Sequence, residues 1–335
     1  MSRLGRYLPE IVVTLLVAVP GGISIPLFLT HGDVTWAFAV IWGVATLGSV
    51  ALVAAVRHSG EDWRKELRLL FVVSGVVGVV SIATGIGNNA TDEPFTMAAY
   101  LGQLLHGQDP YTTSVWVTYS AHTLNLWSET VSTPFHYVYL PLLLFVQVPG
   151  TGAVGYKALC LACWAGMVYL VRRDEVASLC LVSPVVALVA ANGFTDLPVL
   201  LLMTVSLRGA TGTASRAAEY ATYAMKQFAN AFWFLLYLAR RDVVRALLVV
   251  ALTLLFAAPF LLWHPTGIWC EALTFSVSPG CASAPNSSRQ VSDLYSHWNY
   301  YLWLVWVYAL YRRELHRLAG RAWTWLRRPA ARASP

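Results

Sequence analysis

The chain has 335 residues, of which 57% are apolar and only 12% are charged, and its mean hydropathy is +0.56. Soluble domains carry about 25% charged residues, so this composition excludes an ordinary soluble enzyme, a disordered protein and a nucleic-acid-binding protein. The net charge of +6 is typical of a membrane protein whose cytoplasmic loops collect Lys and Arg. The sequence therefore predicts an all-α protein, a polytopic bundle of transmembrane helices.

Apolar stretches predict the membrane spans in chain order, because about 20 helical residues are needed to cross the hydrocarbon core. Seven clear spans are expected at residues 10–30, 36–56, 69–87, 154–171, 176–191, 246–263 and 298–312. Shorter apolar segments occupy 137–149, 197–207 and 216–239. Arg3 and Arg6 precede the first run as in a signal peptide, but Pro20-Gly21-Gly22 offers no cleavage site, so we expect the run to be retained.

The distribution of Lys and Arg predicts the orientation of these spans. Twenty of the 23 can lie on one side, in the N-terminus, the loop 57–68, Arg172–Arg173, the region 208–216, Arg240–Arg245 and the tail. The positive-inside rule makes that side cytoplasmic. We therefore expect a multi-pass protein of the plasma (inner) membrane with both termini in the cytoplasm and with outer loops at 88–135 and 264–297.

The same orientation requires two interrupted crossings. Residues 137–149 are expected to form a short re-entrant helix, because Arg172 and Arg173 must face inward. Residues 216–239 are expected to form a pair of half-helices with Lys226 between them, since Arg216 and Arg240 both belong inside. Broken backbone at membrane depth is tolerated where it is buried in protein or lines a wet cavity, so these breaks predict a cavity.

Residues 1–312 are predicted to form a single transmembrane catalytic domain, and residues 313–335 a basic cytoplasmic tail. The tail carries arginines among Trp323 and Trp325, which is typical of a helix lying on anionic lipid. An orientation signal alone explains it equally well.

The chain has five cysteines, Cys160, Cys163, Cys180, Cys270 and Cys281. Cys160-x-x-Cys163 lies within an apolar helix without flanking ligands and is interpreted as packing rather than as a metal or redox site. Cys270 and Cys281 share the second outer loop, where they are expected to form a disulfide, with two free thiols as the alternative.

The first outer loop carries the strongest candidate for a catalytic residue. Asp92 directly follows the third span, at the boundary between membrane and water, where a carboxylate suits a general base for a hydroxyl nucleophile. Capping of the following helix, which starts near Pro94, explains Asp92 as well. Glu93 is a candidate binding residue or a helix-terminus charge, and Asp109 is expected to shape the turn before Pro110.

Other polar and aromatic groups are candidates for donor and substrate binding, and each has a structural alternative. Lys226 is the ionisable group expected at membrane depth, where such groups are costly and usually functional, although snorkelling would also explain it. An interfacial aromatic belt would explain the tyrosines, and capping would explain Asp196. The candidate binding residues are Lys226, Gln227, Glu93, His136, Tyr137, Tyr139, Asn192, Asp196 and His297.

Several short motifs, in this order, resemble the C-type (GT-C fold) polytopic glycosyltransferases. They are an outer-loop acidic residue, Ala98-Ala99-Tyr100, Leu104-Leu105-His106-Gly107, Asp109-Pro110-Tyr111, Tyr137-x-Tyr139-x-Pro141-Leu142, Asn192-Gly193 and Lys226-Gln227. The resemblance spans roughly residues 69–260 and is nearest to the mannosyltransferase-like branch that uses polyprenyl-phosphate sugars. In that family the acidic residue usually follows the first membrane helix, whereas in this chain two extra spans precede it.

This resemblance implies transfer of a sugar, with mannose as the expected one, from a polyprenyl-phosphate donor to a hydroxyl of a glycan, glycolipid or glycoprotein. The reaction would take place on the outer face and would invert the anomeric centre. Asp92 would be the base, and Lys226 would hold the donor phosphate. Beyond the lipid-linked donor and the surrounding membrane lipid, no cofactor, metal or nucleic acid is expected. A transporter or lipid flippase and a non-enzymatic assembly subunit are the alternatives.

Overall fold

A computed structural model of the chain describes residues 47, 48, 51, 54, 63–84, 93–121, 129–135, 137, 139–146, 152–208, 212–273, 302–315 and 317. This part of the chain is mostly helical. Its helices are α1 (Trp63–Thr84), α2 (Glu93–Leu105), α3 (Gly152–Val171), α4 (Glu175–Leu181), α5 (Pro184–Ala191), α6 (Asp196–Arg208), α7 (Thr213–Tyr223), α8 (Gln227–Ala239), α9 (Val243–Trp263) and α10 (302–315). A helical turn, Pro265–Ile268, and a π-helical turn, Trp269–Leu273, follow α9.

Three helices in the described part are long and apolar enough to cross a membrane: residues Arg64–Thr84 of α1, the whole of α3 and the whole of α9. They coincide with the spans predicted at 69–87, 154–171 and 246–263. The expected spans at 10–30 and 36–56 lie outside the described residues, apart from four isolated positions.

The span predicted at 176–191 is two short helices, α4 and α5, and its prediction as one helix was wrong. The interruption lies at Ser183 and Pro184. The Ser183 hydroxyl accepts a hydrogen bond from the backbone N–H of Val186 at 3.3 Å and caps α5, while Pro184 occupies its first turn. Proline lacks an N–H and cannot continue a preceding helix, whereas it is favoured at a helix start.

The pair of half-helices predicted within 216–239 is confirmed. Helices α7 and α8 are separated by Ala224–Lys226, and Lys226 has an extended backbone immediately before α8. Glu219 of α7 ties the two together, since its carboxylate accepts hydrogen bonds from the hydroxyls of Tyr223 and Tyr237. Helix α7 also packs on α6, where the Ser215 hydroxyl donates to the carbonyl of Ser206 at 2.8 Å.

The segment predicted to be the first outer loop contains a β-hairpin, so the all-α expectation was wrong there. Strand β1 (Val115–Ala121) pairs antiparallel with β2 (Glu129–Phe135), and Val115 lies opposite Phe135. Both segments are rich in β-branched and aromatic residues, which favour strands over helices. The hydropathy pattern of membrane helices carries no information on such a polar segment.

The re-entrant helix predicted at 137–149 is instead a five-residue 3-10 helix, Pro141–Phe145. Pro141 begins it, and Pro141, Leu143 and Leu144 are buried. The backbone N–H of Leu142 donates to the carbonyl of Ala224 at 3.0 Å, so this turn packs against the α7–α8 break. Apolar composition here reflects packing against the bundle rather than a helix of membrane depth; residues 147–150 lie outside the described residues.

Arginines gather at one end of the bundle, as their distribution predicts. One cavity is lined by Arg64 and Arg68 of α1 and by Arg172 and Arg173 after α3. A second, which also includes Arg173, is lined by Arg208, Arg312 and Arg313, and a third by Arg208, Arg240, Arg312 and Arg313. We call the end of the bundle defined by these eight arginines the arginine end.

Candidate functional site

Lys226 is buried at the break between α7 and α8, with 3% of its surface exposed. Its ammonium lies 2.7 Å from a carboxylate oxygen of Asp196 and donates to the hydroxyl of Thr195 at 2.8 Å. The same nitrogen is 4.7 Å from the centroid of the Tyr139 ring, within the range of a cation–π contact. Lys226 therefore lies inside the bundle and does not snorkel to its surface.

Asp196 begins α6 and is fully buried. One of its carboxylate oxygens faces Lys226, and the other accepts a hydrogen bond from the indole N–H of Trp303 at 2.7 Å. Trp303 belongs to α10, so this bond ties the last described helix to the site. Asp196 thus does more than begin a helix, because it neutralises a buried lysine.

Glu93 begins α2, and its carboxylate is also buried. It accepts hydrogen bonds from the backbone N–H of Thr195 at 2.6 Å, from the Thr195 hydroxyl at 3.0 Å and from the Tyr139 hydroxyl. Glu93 is a helix-terminus charge, as one of its two interpretations predicts, but it is buried and its carboxylate contacts two other residues. We call Glu93, Tyr139, Thr195, Asp196 and Lys226 the Lys226 network.

The network holds two carboxylates and one ammonium out of water. Burial raises the pKa of the Glu93 carboxyl above its ordinary value of 4.5, and the negative charge of Asp196 raises it further. The positive charge of Lys226 and the hydrogen bonds from Tyr139 and Thr195 oppose this shift. The network therefore combines a carboxyl that binds a proton more readily than usual with a charge pair beside it.

The side chains of Pro94 and Lys157 pack closely against Gly193, next to the network. Gly193 has a φ of +83°, and a Cβ there would lie 2.6 Å from Cγ of Pro94 and 3.0 Å from Cγ of Lys157. Only glycine fits, because it tolerates the left-handed conformation and has no side chain to collide. This fit brings the turn that carries Thr195 and Asp196 against the start of α2, where Glu93 lies.

Helices α6 and α10 place the network opposite the arginine end. Helix α6 begins at Asp196 in the network and ends at Arg208. At 1.5 Å per residue, these two residues are about 18 Å apart along the helix. Helix α10 likewise contacts both ends. Its Trp303 donates a hydrogen bond to Asp196, and its Arg312 guanidinium lies 2.6 Å from the Asp174 carboxylate. The two ends of the bundle therefore hold different sets of charges.

Tyrosines support the network from one side. The hydroxyl of Tyr111 donates to the backbone carbonyl of Tyr139 at 2.7 Å and fixes that residue. Tyr137 is fully buried, contacts the rings of Tyr100, Tyr111 and Tyr139 edge-on, and donates through its hydroxyl to the carbonyl of Leu140 at 3.0 Å. Tyr137 therefore packs behind the network, whereas Tyr139 belongs to it.

Asp109 shapes the turn after α2, as predicted. Its carboxylate accepts the backbone N–H of Tyr111 at 3.0 Å, which is the contact expected of a turn-forming aspartate. The other oxygen lies 3.0 Å from Nδ1 of His264, at the end of α9. These contacts anchor the turn after α2 to the end of α9.

The remaining candidates have other positions. The Gln227 amide donates to the carbonyl of Ala272 at 2.6 Å, and the Asn192 amide donates to the carbonyl of Leu188 at 2.9 Å, at the end of α5. Lys157 is buried, with its ammonium 5.1 Å from the centroid of the Phe95 ring. Three candidates, Asp92, His136 and His297, lie outside the described residues, so their roles stay predictions.

The described cysteines differ in their oxidation state. Cys160, Cys163 and Cys180 are buried free thiols, and the Cys160 thiol lies 3.5 Å from the carbonyl of Phe194. Cys270 is disulfide-bonded, which confirms that prediction for this residue; Cys281, its expected partner, lies outside the described residues. Among the described residues, no group of three or more His, Cys, Asp or Glu side chains converges to hold a metal ion.

Two members of this site were not predicted from the sequence. Thr195 stands between the two carboxylates and the lysine, and it was overlooked because threonine is common in turns. Trp303 falls within a predicted span, where an indole is usually interpreted as an interfacial group. The sequence around neither residue indicates that its side chain contacts a buried carboxylate.

Comparison with known proteins finds no relative for this arrangement. No protein-family model, no curated protein and no solved structure matches the chain.

Proposed function

We propose that the protein is a polytopic membrane glycosyltransferase that moves a sugar from a polyprenyl-phosphate donor to a hydroxyl acceptor on the outer face. The expected sugar is mannose, and the transfer inverts its anomeric centre. One observation carries this proposal. Glu93, Tyr139, Asp196 and Lys226 were each selected as candidates from separate stretches of sequence, and they meet in one buried network.

The energetics of the network support a functional role. Each buried charge carries a desolvation penalty of several kcal/mol, and apolar side chains of similar size would pack there without it. Ionisable groups within a membrane bundle are therefore usually retained for function. Carboxyl groups with shifted pKa values next to a specific charge are a recognised property of reaction centres.

Asp92 is the proposed general base, and it directly precedes Glu93 in the sequence. It would accept the proton of the acceptor hydroxyl as the oxygen attacks the anomeric carbon. The bond from that carbon to the phosphate oxygen breaks at the same time, and the polyprenyl phosphate leaves with the bonding electrons. Attack opposite the leaving group inverts the anomeric centre.

Lys226 is the proposed partner of the donor phosphate, and its contacts define how binding would occur. Its ammonium is already paired with Asp196, so a phosphate would have to replace or share that carboxylate. Asp196 keeps its hydrogen bond from Trp303 during such an exchange. Asp196 then competes with the donor for the same cation, which sets the affinity for the donor.

Release of polyprenyl phosphate from polyprenyl-phosphate mannose by the purified protein, with added acceptor glycolipid, tests the reaction. Asp92→Asn should lower this rate about 10²- to 10⁴-fold, the usual cost of losing a general base. Asp109→Asn is the matched control, because it is a second outer-loop aspartate whose remaining oxygen still forms its turn. An Asp92→Asn protein that reacts at the wild-type rate would rule out Asp92 as the base.

Asp196→Asn tests the exchange at Lys226 separately. Removal of the competing carboxylate charge should lower the KM for the donor, while Glu93 still balances Lys226 within the network. A higher KM with unchanged kcat would mean that Asp196 positions Lys226 instead of competing with the phosphate.

A transporter or lipid flippase is the alternative, and one feature of the site favours it. Buried carboxylates paired with a lysine at a helix break also serve ion-coupled transport, where their charge state changes during the cycle. Proteoliposomes that contain fluorescent polyprenyl-phosphate mannose and an acceptor glycolipid distinguish the two. Movement of the intact donor between leaflets without formation of polyprenyl phosphate would favour transport, whereas formation of polyprenyl phosphate and of mannosylated acceptor without movement favours transfer.

A further inference from the structure

A cavity of about 510 Å³ opens at the arginine end, between α1 and α3. Arg64, Leu67, Arg68 and Phe71 line it from α1, and their spacing places all four on one face of that helix. Val168 and Arg172 line it from the end of α3. Its volume falls within the range of about 300–1,000 Å³ that is usual for ligand sites.

Three of the arginines that line this cavity have no carboxylate partner among the described residues. Within the described part of the chain, Arg68, Arg172 and Arg173 form no ion pair with a carboxylate, and all three are exposed. The neighbouring Arg208 and Arg312 differ, because both lie against Asp174, at 3.6 Å and 2.6 Å. Uncompensated cations around one cavity repel each other, and a bound anion would remove that repulsion.

One of these arginines is already held in position. The Arg172 guanidinium lies 3.8 Å from the centroid of the Tyr169 ring, and one of its nitrogens donates to the Tyr169 carbonyl at 2.7 Å. Stacking leaves most of the five N–H donors of the guanidinium available. A preorganised arginine loses less entropy when it binds an anion, and its planar fork fits a phosphate.

The other half of the cavity is apolar. Leu67 and Val168 are buried, and Phe71 stacks on Trp164 with ring centroids 5.2 Å apart. Both α1 and α3 are apolar enough to cross a membrane, so this wall continues along candidate membrane spans. A ligand that satisfies both halves is an amphiphile with an anionic head.

We propose that this cavity binds the phosphate head of an anionic phospholipid, with its acyl chains against the apolar wall. Arginines hold phosphate through charge-assisted, bidentate hydrogen bonds, and basic pockets between membrane helices bind anionic lipid heads. The site lies at the end of the bundle opposite the Lys226 network, and it does not depend on glycosyl transfer.

Native mass spectrometry of the full-length protein, released from detergent with graded amounts of lipid, tests the proposal. Phosphatidylglycerol should reach half occupancy at a concentration at least tenfold lower than phosphatidylcholine of the same chain length. The variant Arg68→Gln/Arg172→Gln should raise the phosphatidylglycerol concentration needed at least tenfold. Lys65→Gln/Arg317→Gln removes the same charge from residues that do not line the cavity, and it should change that concentration less than twofold.

Three outcomes would overturn the proposal. They are equal retention of the two lipids, an equal loss in the control variant, and complete displacement of phosphatidylglycerol by millimolar inorganic phosphate, which would identify a site for free phosphate. Thermal unfolding measured by tryptophan fluorescence checks that the variants are folded. If the double variant does not fold, the single variant Arg173→Gln repeats the test, with at least a threefold loss expected for an anionic-lipid site and no change otherwise.

Discussion

The two ends of the bundle carry their charged side chains in opposite ways. In the Lys226 network, Glu93, Asp196 and Lys226 are 5%, 0% and 3% exposed, and each has partners within the network. At the arginine end, Arg68 and Arg173 are exposed and pair with no carboxylate of the described residues.

This difference separates charges that the fold must satisfy internally from charges that are left for water or a ligand. A buried charge that loses its partner keeps its full desolvation cost, whereas an exposed charge is hydrated and screened by salt. Substitutions at the Lys226 network should therefore affect folding strongly, and those at the arginine end should affect binding more than folding.

The largest effect is expected for Lys226→Met, which leaves two buried carboxylates without their cation. Breaking a buried ion pair by removal of one partner costs about 3–5 kcal/mol, so the free energy of unfolding should fall by that amount. Denaturant unfolding in detergent measures it. The double variant Asp196→Asn/Lys226→Met removes one carboxylate charge as well and should recover at least half of the loss. A double variant no more stable than Lys226→Met would contradict charge imbalance as the cause.

The next effect concerns the close packing behind the network. Gly193→Ala should cost about 2–3 kcal/mol, because alanine is strained at a φ of +83° and its Cβ would collide with Pro94. Gly107→Ala is the matched control: its φ is +74°, but a Cβ there meets nothing within 4 Å, so about 1 kcal/mol is expected. Equal losses in the two variants would mean that the close approach at Gly193 contributes nothing.

A smaller loss is expected at the arginine end for Asp174→Asn. Asparagine still caps α4, as Asp174 does through the N–H of Ala177, so the change removes only the ion pairs with Arg312 and Arg208. Partly exposed pairs contribute about 1 kcal/mol or less, and high salt should reduce the difference further. Unfolding at low and high salt measures this. A salt-independent loss above about 3 kcal/mol, the range of a buried pair, would remove the contrast between the two ends.

The sequence predicted the features that rest on patterns over many residues, such as apolar spans, and missed the features that rest on a few individual residues. Hydropathy predicted the spans at 69–87, 154–171 and 246–263, and the arginine distribution predicted the break around Lys226. It missed the β-hairpin and the interruption at Ser183, because neither changes mean hydropathy. Turn and strand residues have weaker patterns than an apolar run of about 20 residues.

The candidate site was predicted in part for a similar reason. Ionisable residues are rare in an apolar chain, so Asp196 and Lys226 were identified by type alone. Their mutual contact joins distant positions of the chain, and Glu93 lies 102 residues before Thr195, so pairing depends on the fold. Thr195 and Trp303 were missed because their types are ordinary at those positions.

The last effect is a pH dependence of stability caused by Glu93. Burial raises the pKa of this carboxyl above 4.5 in the folded protein, so the folded state binds its proton more tightly than the unfolded state does. Stability that depends on this proton is fully present below pH 4.5 and is lost as the pH rises through the folded pKa. The slope is at most about 1.4 kcal/mol per pH unit for one proton.

Glu93→Gln isolates this contribution, because glutamine does not titrate. The stability of wild type minus that of Glu93→Gln should decrease as the pH rises above 4.5, measured as the difference in Tm across a pH series at constant salt. Glutamine also leaves one donor unsatisfied, since Thr195 and Tyr139 both donate to Glu93, but that cost is the same at every pH. A difference that increases with pH would mean that the positive charge of Lys226 and the hydrogen bonds outweigh burial, so that folding favours the carboxylate form of Glu93 over the protonated one.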